Sequence, residues 1–248
     1  MISSLLKDRF GSFAVSLGYI VLIVLLSHAL GLVLPGKWFL PAINALLFFL
    51  LFLCQVSRGK YATAVKLALI WAAATIVLQV ILSAGWNSLL EEKVLRGAAY
   101  RDEMFNWVRT GEGPEGDIRL FLPIHVKHFL LFCALSVASG GLLGLGLGAV
   151  MLGYMNFYVG SLIASSGGAW QTILLGWPVW SMVRVAGYIT AGTALGAILL
   201  DRTADKLEKR KKIIRYLIIS LGLCVLDVLL KWALAGSWQG ALNSGLKT

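Results

Sequence analysis

Charge and the usual residues of catalysis are scarce in this chain. Of its 248 residues 14% are charged, and only three are histidine, three cysteine and five proline. A soluble domain is about 25% charged and about 45–50% apolar. Here 58% of residues are hydrophobic and the mean hydropathy is +0.82, which excludes a soluble globular enzyme. Cys54, Cys133 and Cys224 fall in three different apolar stretches with no Cys-x-x-Cys spacing, so neither a disulfide framework nor a zinc site is indicated. Acidic residues are also few: 12 against 22 cations, a formal net charge of +10. In a soluble protein that excess would suggest nucleic acid. Here the cations gather at the ends of apolar segments, where they set orientation, and nucleic-acid binding is set aside.

What remains is a set of apolar runs long enough to cross a bilayer, for which roughly 20 residues suffice. The first runs from Gly11 to Leu34 behind Lys7 and Arg9, and reads as an uncleaved span rather than a signal peptide because of its length. The second covers Trp38 to Val56, ending at Arg58 and Lys60, and the third Ala62 to Ala84. Phe129 to Leu200 is apolar except for Arg184 and is long enough for three spans, placed near 129–150, 151–168 and 170–200, the middle one short enough to be re-entrant. A last span covers 213–235. The segment 201–215, with seven cations against three acids, is a basic loop. The expected fold is therefore all-α, one polytopic transmembrane bundle over 1–248 with about seven spans. By the positive-inside rule the N-terminus is cytoplasmic, the C-terminus extracytoplasmic and the membrane the inner, cytoplasmic one.

The one other polar stretch, 86–127, holds most of the acids and is expected to be extracytoplasmic and amphipathic. Ser88-x-x-Glu91 fits a capping box, predicting a helix over 88–109 lying at the interface, with Trp86 and Trp107 near its ends. Such a helix could dock a partner or simply cap the bundle. Trp38, Trp86, Trp170, Trp232 and Trp238 sit at expected span ends, as an aromatic belt would place them.

Three features could carry function. Ser136, Gly140, Gly144 and Gly148 recur every four residues in the expected fourth span, and Gly192 and Gly196 repeat the spacing later, giving faces that another backbone can approach. Tight packing within one monomer, a subunit contact and a thin-walled passage all fit that pattern. Arg184, Asp227 and Lys231 are ionisable residues within spans, where each needs a partner. Asp227 and Lys231 are spaced to satisfy each other, Arg184 could pair with Asp227, or Arg184 could bond carbonyls freed by Pro178. His125 and His128 lack a third ligand at fixed spacing, so no metal and no cofactor is implied, and His28 is expected to bond a neighbouring helix.

Two resemblances add to this reading. Glu91-Glu92-Lys93-Val94-Leu95-Arg96-Gly97 resembles the E-E-x-x-x-R-G signature of the CAAX-type intramembrane proteases, and Phe121 to His125 resembles that family's F-x-x-x-H. The resemblance implies a peptidase in which Glu91 activates water, His125 assists, and Glu92 and Arg96 position the site. No histidine follows His128 to complete that family's later H-x-x-x-N. Over a longer stretch, residues 62–235 are similar to the stage II sporulation protein M membrane family. The similar features are the glycine-rich span, Leu147 to Tyr154, Leu174-Leu175-Gly176-Trp177-Pro178, and Ala186-Gly187 through Gly196. That resemblance implies a non-enzymatic membrane subunit that scaffolds a complex or forms part of a transport path. Its expected partners are the lipid bilayer and other membrane subunits or further copies of the chain.

Overall fold

The computed structural model describes residues 12–246, which form helices and connecting turns with no strand among them. The helices are α1 (Phe13–Val33), α2 (Phe39–Val56), α3 (Tyr61–Gly85), α4 (Asn87–Glu91), α5 (Gly97–Thr110), α6 (Ile118–Ser139), α7 (Leu142–Ser165), α8 (Trp170–Leu175), α9 (Val179–Leu200) and α10 (Lys206–Leu246). Seven segments are long and apolar enough to cross a membrane: α1, α2, α3, α6, α7, α8 with α9, and α10. The chain is thus an all-α, multi-pass membrane-type bundle. α7 lies at its centre, buried along most of its length against α3, α2, α5 and α6, while α9 pairs with α10.

The third, central apolar block divides differently from the sequence expectation. The turn between its first two spans is at Gly140-Gly141, not near 150, because both glycines take left-handed φ (63° and 98°) and both amides close on the Ser136 carbonyl. The fourth span accordingly starts at Ile118, capped by the Asp117 side chain on the Arg119 amide at 2.8 Å, and not at 129. The fifth is a 24-residue crossing-length helix and has no need to re-enter. The four-residue glycine pattern therefore does not lie on one helix. Ser136 lies in the last turn of α6, Gly140 makes the turn, and Gly144 and Gly148 lie in the first two turns of α7.

The expected interfacial helix over 88–109 is broken in two. Arg96, at φ 59°, is the one non-glycine residue with positive φ among those described, and it separates α4 from α5. No capping box forms, since α4 starts one residue earlier and Asn87 donates instead to the Ser83 carbonyl and to Ser161. The last helix is longer than the expected 213–235. It absorbs 206–215, leaving only 201–205 as loop, and its 41 residues extend about 60 Å. Its buried positions form a single stripe: Ser220, Asp227, Lys231, Ala235, Leu242 and Gly245.

Candidate functional site

That stripe places the two ionisable residues of α10 against α9 and α6. Arg184 of α9 donates from Nε and Nη2 to the two carboxylate oxygens of Asp227, at 2.9 and 3.0 Å. A planar guanidinium and a carboxylate meet this way when both are held rigidly, and the paired bonds satisfy charges that lipid could not. The Asp227 side chain is 3% exposed and that of Arg184 12%. His125 of α6 completes the cluster, with Nδ1 on the Phe121 carbonyl at 2.9 Å and Nε2 3.9 Å from Asp227.

Asp227 and Lys231 do not satisfy each other. The Arg184 fork takes the aspartate, and Lys231 turns to Glu115, which the 111–117 loop brings into the bundle with Nζ 2.9 Å from Oε1. Lys231 is fully buried, makes an ion pair without a well-directed hydrogen bond, and rests 4.2 Å from the centre of the Phe121 ring. Tyr100 of α5 packs against Tyr154 with the two rings tilted, and burial followed by the neighbouring Glu115 and Tyr154 holds its phenol well above the ordinary range. Burial, then Glu115, likewise raises the Glu103 carboxyl. The polar segment is therefore a lid folded onto the charged cluster.

Beside the cluster lies an almost wholly apolar cavity of ≈ 60 Å³ with Arg184 among its lining residues. Its lining includes Gly144 and Gly148 from α7, Gly192 from α9 and Tyr188. A Cβ at Gly192 would come within 3.1 Å of the Phe132 ring, one at Gly196 within 2.8 Å of the Gly140 carbonyl, and one at Gly144 would strike Ser136 Oγ. Gly148 is looser, with Phe132 4.0 Å away. The glycines thus bring α6, α7 and α9 together and also form the thin wall of the cavity.

The residues of the protease resemblance each make other contacts. Glu91 is 40% exposed and pairs with Arg101 at 2.6 Å, Glu92 is exposed, and Arg96 lies over the Tyr154 ring. No hydrogen bond or ion pair joins Glu91 to His125 among the described residues, and no group of three or more His, Cys, Asp or Glu is arranged to hold a metal. His28 bonds its own helix, through Nδ1 to the Val24 carbonyl at 2.8 Å, and not a neighbour.

Sequence reasoning missed Glu115 as a member of the cluster, since an acid in a glycine-rich loop gives no sign that the loop turns inward. It also missed two neutral hydrogen-bonded groups, one between α2 and α3 (Trp71 to Asn44 at 2.8 Å, Asn44 to Thr75 at 3.4 Å) and one between α3 and α7 (Asn156 to Gln79 at 3.2 Å, Gln79 to the Gly153 carbonyl at 3.1 Å). Amides isolated in apolar runs were the available signal, because each must find a partner in lipid. No protein-family model matches the chain, and neither characterised proteins nor solved structures gave a significant match.

Proposed function

We propose that this chain is an inner-membrane subunit forming part of a transport path, with its N-terminus cytoplasmic, and that Arg184 is the element that meets the solute. The observation that carries this reading is the double duty of Arg184, which is forked to Asp227 and also walls the glycine-lined cavity. A purely structural ion pair needs no cavity, and a scaffold needs no charge at this position. An ionisable group within a membrane span is often the mark of a substrate or ion route. In this reading Asp227 holds the guanidinium in place until a small anion takes the place of the carboxylate. The membrane-subunit role implied by the sporulation-protein resemblance agrees with such a path, with the glycine faces as helix contacts.

Arg184→Gln and Asp227→Asn, singly and together, test this. Each single change leaves a buried charge unpaired and is expected to cost about 3–5 kcal/mol, while the double change removes both charges and recovers most of that loss. In liposomes on a solid-supported membrane, challenged with acetate, succinate and phosphate, the wild type should pass an anion-evoked current that the folded double variant lacks. A double variant with undiminished current would make the pair structural and end the proposal.

A further inference from the structure

A second and larger cavity, ≈ 640 Å³, lies between α2, α6 and α7 and meets the Arg184 cavity only at Met151, which lines both. Leu46, Leu135, Leu143 and Val150 are among the side chains that make its walls. Its polar end is formed by Arg96, His128 and Tyr154, with Trp38 at the end of α2 beside them. From His128 to the α6–α7 turn the groove follows α6 for about 16 Å, roughly half of the ~30 Å hydrocarbon core.

The polar end is cationic. No carboxylate lies within ion-pair distance of Arg96 among the described residues, and its guanidinium is 6.0 Å from the Tyr154 ring centre. Arg96 also occupies a left-handed backbone position (φ 59°) that a glycine would take without strain. A long cation held at such a place, at the head of an apolar channel, complements a molecule with an anionic head and a hydrocarbon tail. We propose that this groove binds one anionic phospholipid, its phosphate at Arg96 and His128 and an acyl chain along Leu46, Leu135 and Leu143. The site is independent of the transport reading, since it shares no charged group with the Arg184 cluster.

Gly146 makes the proposal testable, because it lines the groove and a Cβ there meets nothing within 4 Å. Gly146→Phe fills the channel without disturbing the packing, and Arg96→Gly removes the cation while relieving the strained backbone. Native mass spectrometry of the full chain in neutral detergent, with phosphatidylglycerol or phosphatidylcholine added, reads retained lipid. Melting temperature checks that each variant is folded. The wild type should retain one phosphatidylglycerol in preference to phosphatidylcholine. Gly146→Phe should retain it roughly ten-fold less, a difference of about 1.4 kcal/mol, at an unchanged melting temperature. Arg96→Gly should melt no lower than the wild type yet lose the preference for the anionic lipid. Equal retention of the two lipids by the wild type would mean annular lipid only and overturn the site. So would a folded Gly146→Phe that holds phosphatidylglycerol as the wild type does, and if that variant fails to fold, an Arg96→Gly protein with its preference intact overturns it alone.

Discussion

Asp201 shows how much a single buried acid can hold together outside the apolar spans. It is 7% exposed, accepts hydrogen bonds from Tyr61 and from the Thr203 amide at 2.8 Å, and its own carbonyl accepts from Lys209 Nζ at 2.8 Å. The adjacent Arg202 amide reaches the Ser57 carbonyl at 3.4 Å, so the 57–60 and 201–205 turns are tied together. Burial pushes the carboxyl up, but the hydrogen bonds from Tyr61 and Thr203 and the charge of Lys209 outweigh it and leave the group below its ordinary value. A depressed carboxylate contributes stability above its unfolded value and loses it as pH falls through the lowered one. Asp201→Asn should therefore cost about 1–3 kcal/mol at neutral pH, and melting curves of the two proteins should converge in acid. A constant gap across that range would mean that the amide fails for reasons of shape and not charge. Glu103 has the opposite sign. Its raised carboxyl, more ready to hold a proton in the folded chain, disfavours the native state once pH exceeds its unfolded value, so Glu103→Gln should raise the melting temperature at pH 8 and leave it unchanged at pH 3.

Among elements, the glycines divide into those that hold helices together and those that face open space, and sequence spacing did not separate the two. Gly160 lies outside the four-residue pattern, yet α3 presses directly on it: an added Cβ would touch Ser83 and come within 2.8 Å of the Val80 carbonyl. Gly146 stands within the glycine-rich run and faces nothing. Gly160→Ala is expected to destabilise by about 1–3 kcal/mol through overpacking against backbone. Gly146→Ala should be neutral or gain up to ~1 kcal/mol from helix propensity. Denaturation of both in one detergent decides the matter, and an equal effect at the two sites would contradict this packing. The same limit explains which parts of the fold were legible. Length and hydropathy were enough to count the crossing segments and to locate the first three, because lipid demands continuous apolar helix. They could not place the Gly140-Gly141 turn, since consecutive glycines inside an apolar run serve equally as a packing face and as a reversal. Nor could they foresee that Arg96 breaks the amphipathic helix, or that Lys231 finds Glu115 and not its own helix neighbour. Both outcomes depend on where the 86–117 segment folds, which no local pattern encodes. The Arg184–Asp227 fork was partly legible because each charge in a span needs a partner and few were on offer.

For the whole molecule, the seven crossings sort the connecting segments onto two ends. One end holds the 57–60, 140–141 and 201–205 turns, joined through Asp201 and Tyr61. The other holds 34–38, 86–117 and 166–169; Lys93 donates to the Leu34 carbonyl at 2.8 Å, tying the first two, and Gln239 of α10 donates to that of Val108 at 2.6 Å. Arg58, Lys60 and Arg202 lie at the first end and the cationic start of α10 adjoins it, while the acids of 86–117 mark the second. Cations within short loops decide insertion and acids contribute little, so the first end is expected to face the cytoplasm. Impermeant thiol labelling of intact cells measures this directly. With Cys54, Cys133 and Cys224 replaced by serine, a cysteine at Glu112, which is exposed on the lid, should label from outside. One at Arg202 should label only after the membrane is permeabilised. The reverse pattern would put the lid and the Glu115–Lys231 pair on the cytoplasmic side. The cluster would then open to the cell interior, and an anion reaching Arg184 through the lid would be one leaving the cell.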